Sequence, residues 1–107
     1  MLYDKKWDKP AEVKLEPWRK HLLDAAQYIR DHGWCQGTTL NDKGEVCALG
    51  ALRMVTNWHG PGGTQIQEAH IQLQNLIGGS IPYWNDHSYR TKEDVIAAFE
   101  NAARRGE

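Results

Sequence analysis

Apolar residues recur at helical spacing in four stretches of the chain. In the first, Trp18, Leu22, Ala25, Ala26 and Ile29 lie three and four positions apart, which puts them on one side of a helix. Pro17 suits a first helical position, where its missing N–H would have no partner anyway, and Gly33 supplies a terminating residue. The pattern predicts a helix from about Glu16 to His32. Ala48, Leu49, Ala51, Leu52 and Val55 are apolar on nearly adjoining positions. They predict a second helix, from about Cys47 to Trp58, buried on much of its circumference, with Gly50 permitting close approach by another element. Ile66, Ala69, His70, Leu73, Leu76 and Ile77 form the apolar side of a third helix, opened by Thr64 with Gln67 as a capping box and closed by Gly78-Gly79. Thr91 with Asp94 repeats the start signal, and Val95, Ile96, Phe99, Ala102 and Ala103 give a fourth helix.

The segments between these helices have a different character. Thr38, Thr39 and Leu40 favour extended backbone, Asn41-Asp42-Lys43-Gly44 is turn chemistry with a positive φ expected at Gly44, and Glu45-Val46-Cys47 can return antiparallel. A short β-hairpin is expected there. His59-Gly60-Pro61-Gly62-Gly63 reads as a loop. Residues 1–16 mix Lys5, Lys6, Lys9 and Lys14 with acidic residues, but Tyr3, Trp7, Val13 and Leu15 are poor choices for a free tail, so this arm is expected to pack on the body. The predicted architecture is mostly α with a minor α+β element. It comprises the arm and a single compact four-helix domain over 17–107, with a small β-hairpin between the first two helices.

Composition narrows the function more than the fold. A chain of 107 residues is long enough for one domain with a real core, and its formal net charge of −1 offers no general attraction to nucleic acid or anionic lipid. The paired basic residues Arg104-Arg105 also complement a helix C-terminus, and no nucleic-acid-reading motif is present. No apolar run approaches the roughly 20 residues needed to cross a bilayer, and residues 1–8 lack the apolar stretch of a signal peptide. A cytoplasmic location is expected, with Cys35 and Cys47 as free thiols that pack as small apolar residues.

Three constellations can be weighed for chemistry. Cys47 at a helix N-terminus would have its thiolate stabilised by unpaired backbone donors, and with His87 and Asp86 it makes a Cys-His-Asp set on paper; His59 and His70 are other candidate bases. Its flanking residues Val46, Ala48 and Leu49 favour a buried, quiet thiol instead. Zinc held by Cys35, Cys47 and histidines is disfavoured, because eleven residues separate the cysteines and the histidines are scattered, whereas structural zinc takes ligands in close pairs. No metal site or cofactor is therefore assigned. The run from Trp84 to Arg90 offers aromatic surface, a carboxylate, an imidazole and a guanidinium between two rigid elements. Its simplest reading is a helix-entry loop with Asn85 and Asp86 bonding backbone donors. It is also the best candidate for recognition, through Trp84, Asn85, Asp86, His87 and Arg90.

Gly33-Trp34, Gly44, Cys47-Ala48-Leu49-Gly50-Ala51-Leu52, Trp84-Asn85-Asp86 and Thr91-Lys92-Glu93-Asp94-Val95-Ile96 together carry a resemblance. Across residues 17 to 104 the chain resembles a family of small bacterial and bacteriophage proteins of unknown function. The resemblance implies organisation and no mechanism, and it marks Cys47, Asn85 and Asp86 as positions of interest. The favoured reading is an interaction or regulatory protein, of phage or prophage origin, that binds a protein or small ligand through the 84–90 segment and adjacent helix ends. Homodimerisation stays open, membrane and nucleic-acid partners are disfavoured, and a thiol-dependent hydrolase or transferase and a metal-stabilised module are the alternatives.

Overall fold

A computed structural model of the chain describes residues 16–56 and 63–105, the side chains of 63–66 excepted. Among these residues run five helices: α1 (Pro17–His32), α2 (Ala48–Thr56), α3 (Gly63–Ile77), α4 (Ile81–Asn85) and α5 (Lys92–Ala103). The expected arm over 1–16, apart from Glu16, lies outside the described residues, as do the end of the second helix at Asn57 and Trp58, most of the glycine-rich loop and the Thr64 cap.

The long helix α1 is the spine of the fold. Its apolar stripe, Trp18, Leu22, Ala25, Ala26 and Ile29, is buried, and it packs against α5, α2 and α3. Leu52 of α2, Leu73 of α3, and Val95 and Phe99 of α5 close the core around it. Burial of such side chains stabilises by about 1.5–3 kcal/mol each, so this cluster is the main source of stability. Two polar contacts fasten α1 to α5: Arg19 Nη1 donates to the Ala103 carbonyl at 2.7 Å, and Arg30 pairs with Glu100. The start of α5 carries a reciprocal capping box, in which Thr91 Oγ1 accepts from Asp94 N and Asp94 Oδ2 accepts from Thr91 N.

Two expectations are corrected. The described residues hold five helices and not four, because Ile81–Asn85, whose Trp84 and Asn85 read from sequence as part of a helix-entry loop, forms the single turn and a half of α4. Ser80 caps it by accepting from Tyr83 N at 3.3 Å, and Pro82 sits in the first turn, where no N–H is needed. The β-hairpin is also absent: no strand forms among the described residues, and only isolated bridges link Val46 to Leu40 (antiparallel) and to Trp34 (parallel). The turn itself forms as its residues dictate. Gly44 N donates to the Asn41 carbonyl, Asn41 Oδ1 accepts from Lys43 N and Glu45 N, and Gly44 has φ +83°. A ladder cannot extend from it. On one side Thr38, Thr39 and Leu40 are exposed and bury nothing; on the other, the returning segment turns into α2 at Ala48.

Gly50 is where α2 meets this irregular segment. A Cβ there would stand 2.2 Å from the Thr39 carbonyl oxygen, so the close approach anticipated at this glycine is made by the backbone of residue 39.

Candidate functional site

The amide of Asn85, at the last position of α4, joins the two ends of the irregular segment to the helical body. Asn85 is fully buried. Its Oδ1 accepts from Trp34 Nε1 at 2.7 Å and from Ala48 N at 2.9 Å, while its Nδ2 donates to the Cys35 carbonyl at 3.2 Å and to Asp86 Oδ1 at 2.9 Å. Two donors face the oxygen and two acceptors face the nitrogen, so the amide has one satisfactory orientation and its capacity is filled. Because Ala48 is the first residue of α2, Asn85 also satisfies one of the amides that a helix start leaves without an internal partner. Cys47 satisfies another from within the chain, its Sγ accepting from Gly50 N at 3.3 Å as a helix-capping side chain.

Gln36 and Gly37 extend the same contact. Gln36 Nε2 donates to the carbonyls of Asn85 (3.0 Å) and His87 (2.8 Å), and Gly37 N donates to Asp86 Oδ1 at 3.0 Å. Arg90 holds a third carbonyl of the turn, its Nε donating to Trp84 O at 2.9 Å with the guanidinium 4.0 Å above the Trp84 ring. Every main-chain oxygen from Trp84 to Asn85, and that of His87, is thus fixed by a side chain.

Around this frame the candidate residues separate into an inner and an outer set. Asn85 is inside, and Asp86 is exposed with one oxygen committed to the frame. Trp84 is half-buried under Arg90, and the two border a shallow groove with Leu76, Ile77 and Ala98 along it and Asp94 at its edge. His87 is half-buried; its ring tilts against Tyr89 at a centroid distance of 4.1 Å, and its Nδ1 is buried with no hydrogen-bond partner among the described residues. Tyr83, just before the segment, and Tyr89, within it, are 77% and 71% exposed.

The thiols lie on the inner side. Cys47 is 5% exposed, and among the described residues no hydrogen bond joins it to a histidine or to Asp86. Cys35 is half-buried, its Sγ 3.4 Å from the Glu45 carbonyl oxygen and 3.6 Å from that of Thr38. Burial pushes the Cys35 thiol above its ordinary value, and the neighbouring negative forms of Cys47, Glu45 and Asp86 push it the same way. No cluster of three or more His, Cys, Asp or Glu side chains among the described residues is placed to hold a metal ion. None of the helices is long and apolar enough to cross a membrane.

Sequence reasoning missed Gln36 and did not name Tyr83 or Tyr89 among the candidate residues, although Tyr89 lies inside the run it singled out. Gln36 gave only the signal of a polar residue beside Gly37, and the two tyrosines look no different in sequence from core-edge aromatics.

The fold and site define a small, mostly helical domain whose irregular 33–47 segment is pinned to a short helix by one buried asparagine. The chain belongs to a family of unknown function (DUF6197), whose family model matches residues 14–105. No curated protein and no solved structure matches it.

Proposed function

We propose that the protein is an interaction or regulatory protein of the cytoplasm that binds a protein partner through the outer face of α4 and the turn leading to α5. The observation that carries this reading is the exposure of Tyr83 and Tyr89 at the two ends of a backbone stretch whose carbonyls at Trp84, Asn85 and His87 are held by Arg90 and Gln36. A tyrosine on a fixed backbone offers a large contact surface with few rotatable bonds to immobilise, and tyrosine and arginine dominate binding energy at interfaces. Trp84 and Arg90 add a stacked pair at the groove beside them. In this reading Asn85 and Asp86 position the surface from beneath, and His87 supports Tyr89 through its ring.

A photo-crosslinking amino acid placed at position 83 or 89 tests the proposal. Irradiation in a lysate of the source organism should give discrete protein adducts from these positions and far fewer from the exposed Lys20 on α1. Equal labelling from all three positions would remove the basis for the reading.

A further inference from the structure

We infer that Cys35 and Cys47 are a disulfide-forming pair, closed by exchange with a small-molecule disulfide of the glutathione class. The inference does not depend on the partner surface above. It rests on how the chain passes itself at Val46. Val46 N donates to the Gly33 carbonyl at 3.2 Å and Cys35 N to the Val46 carbonyl at 3.0 Å, which sets residues 33–35 parallel to 45–47 with Trp34 facing Val46. Carried one step further along both passes, this register sets Cys35 opposite Cys47. In a parallel register, facing residues point to the same side, and the chains run about 4.8 Å apart. That spacing lies inside the roughly 4.4–6.8 Å between Cα atoms that a disulfide spans without backbone movement.

The side chains agree with the register. Cys35 Sγ lies 3.4 Å from the carbonyl oxygen of Glu45, two residues before Cys47 in the returning segment. Both thiols are free. A charged Cys47 disfavours a charged Cys35, as a neighbouring sulfur does.

The accessibilities assign the order of events. Cys35, half-buried, meets the reagent first. Its thiolate, the proton having passed to water, attacks one sulfur of the small disulfide; that S–S bond breaks, one small thiolate leaves, and a mixed disulfide stands on Cys35. The buried Cys47 then passes its proton to water, attacks the Cys35 sulfur, and expels the second small thiolate, which takes up a proton from solvent. Two protein thiols are oxidised and one small disulfide is reduced to two thiols. Because burial holds the Cys35 thiol above its ordinary value, closure accelerates with rising pH. Cys47 Sγ would exchange its role as the acceptor for Gly50 N for a covalent bond to Cys35, the residue whose carbonyl the Asn85 amide holds.

The test is incubation of the native, full chain with oxidised glutathione at about pH 7 and about pH 9, followed by alkylation and peptide mass mapping. The expected product is a reducible crosslink between the peptides carrying Cys35 and Cys47, two hydrogens lighter than the dithiol form, appearing several-fold faster at the higher pH. The Cys35→Ser variant, altered at the less buried position, should give no crosslink and leave Cys47 unmodified. A stable mixed disulfide on Cys35 with Cys47 still alkylatable, a disulfide-linked dimer, or a crosslink that forms only after denaturation would each overturn the inference.

Discussion

Trp34 Nε1 donates to Asn85 Oδ1 at 2.7 Å, and the two partners stand 51 positions apart in the chain. Asn85→Ala would leave that indole N–H, the Ala48 amide and the Cys35 carbonyl without their partner. Each such loss costs about 1–3 kcal/mol where water cannot replace it, so the variant should lose at least about 3 kcal/mol in denaturant unfolding. Asn85→Asp keeps the acceptor but sets a carboxylate against the Cys35 carbonyl and Asp86. It should regain part of its stability as the pH is lowered, since a protonated carboxyl can donate again.

Gly50 and Gly44 should respond differently to the same methyl group. Gly50→Ala would press a Cβ to 2.2 Å from the Thr39 carbonyl oxygen, and because main chain rather than a flexible side chain must yield, about 2 kcal/mol or more should be lost. Gly44→Ala meets nothing within 4 Å but must hold φ at +83°, for which about 1 kcal/mol is expected; Gly44→Asn should cost less. Melting temperatures of the three variants check the order.

Acid should weaken the fold through His21 and His70. Burial lowers the pKa of both below 6.5, with Lys20 acting in the same direction on His21 against Asp24, and Arg53 in the same direction on His70. The folded state therefore binds fewer protons than the unfolded chain once the pH drops below 6.5. Stability is whole above that value and declines as the pH falls toward the lowered folded-state values. Unfolding free energies measured from pH 7.5 down to about pH 5 should follow this course, and His70→Gln should flatten it.

Thr91→Ala removes the acceptor for Asp94 N at the start of α5. A cost of about 1 kcal/mol is expected from denaturant titration, typical of a lost N-cap, and Thr91→Ser should restore most of it.

Tyr83→Ser and Tyr89→Ser remove side chains that are largely in solvent. Together they should change stability by less than about 1 kcal/mol in thermal unfolding. Under the proposed function the same pair should sharply reduce adducts from a crosslinker placed at Arg90.

The sequence revealed the helices that bury a stripe and hid the features that depend on distant partners. Trp18 to Ile29 predicted α1 to within a residue of its observed start, because sixteen residues hold enough turns for a period to show. Ile81 to Asn85 hold fewer than two turns, so α4 carries no periodic signal, and only Ser80 and Pro82 hint at it. Thr38 to Leu40 have the propensity for a strand, but a strand also needs a ladder and a buried face, which the chain does not provide there. The turn glycine and the capping box were readable because their partners lie within four residues. Asn85 was marked as a position of interest that bonds backbone donors, but which groups it holds was not readable, since the amide's partners include Trp34, Cys35 and Ala48 and nothing local marks them.

Ala48 receives its hydrogen-bond acceptor from a residue 37 positions later. As a chain folds, α2 can gain its intrahelical bonds early, but its first turn is finished only when α4 arrives and a long loop has closed. A fragment covering α1 to α3 would therefore contain every residue of α2 and still have an open helix start. The irregular segment would likewise have its turn at Asn41 to Gly44 and no anchor at Cys35. The smallest piece of this chain that can be complete reaches at least to Asn85, and the boundary is set by one side-chain amide as much as by the core.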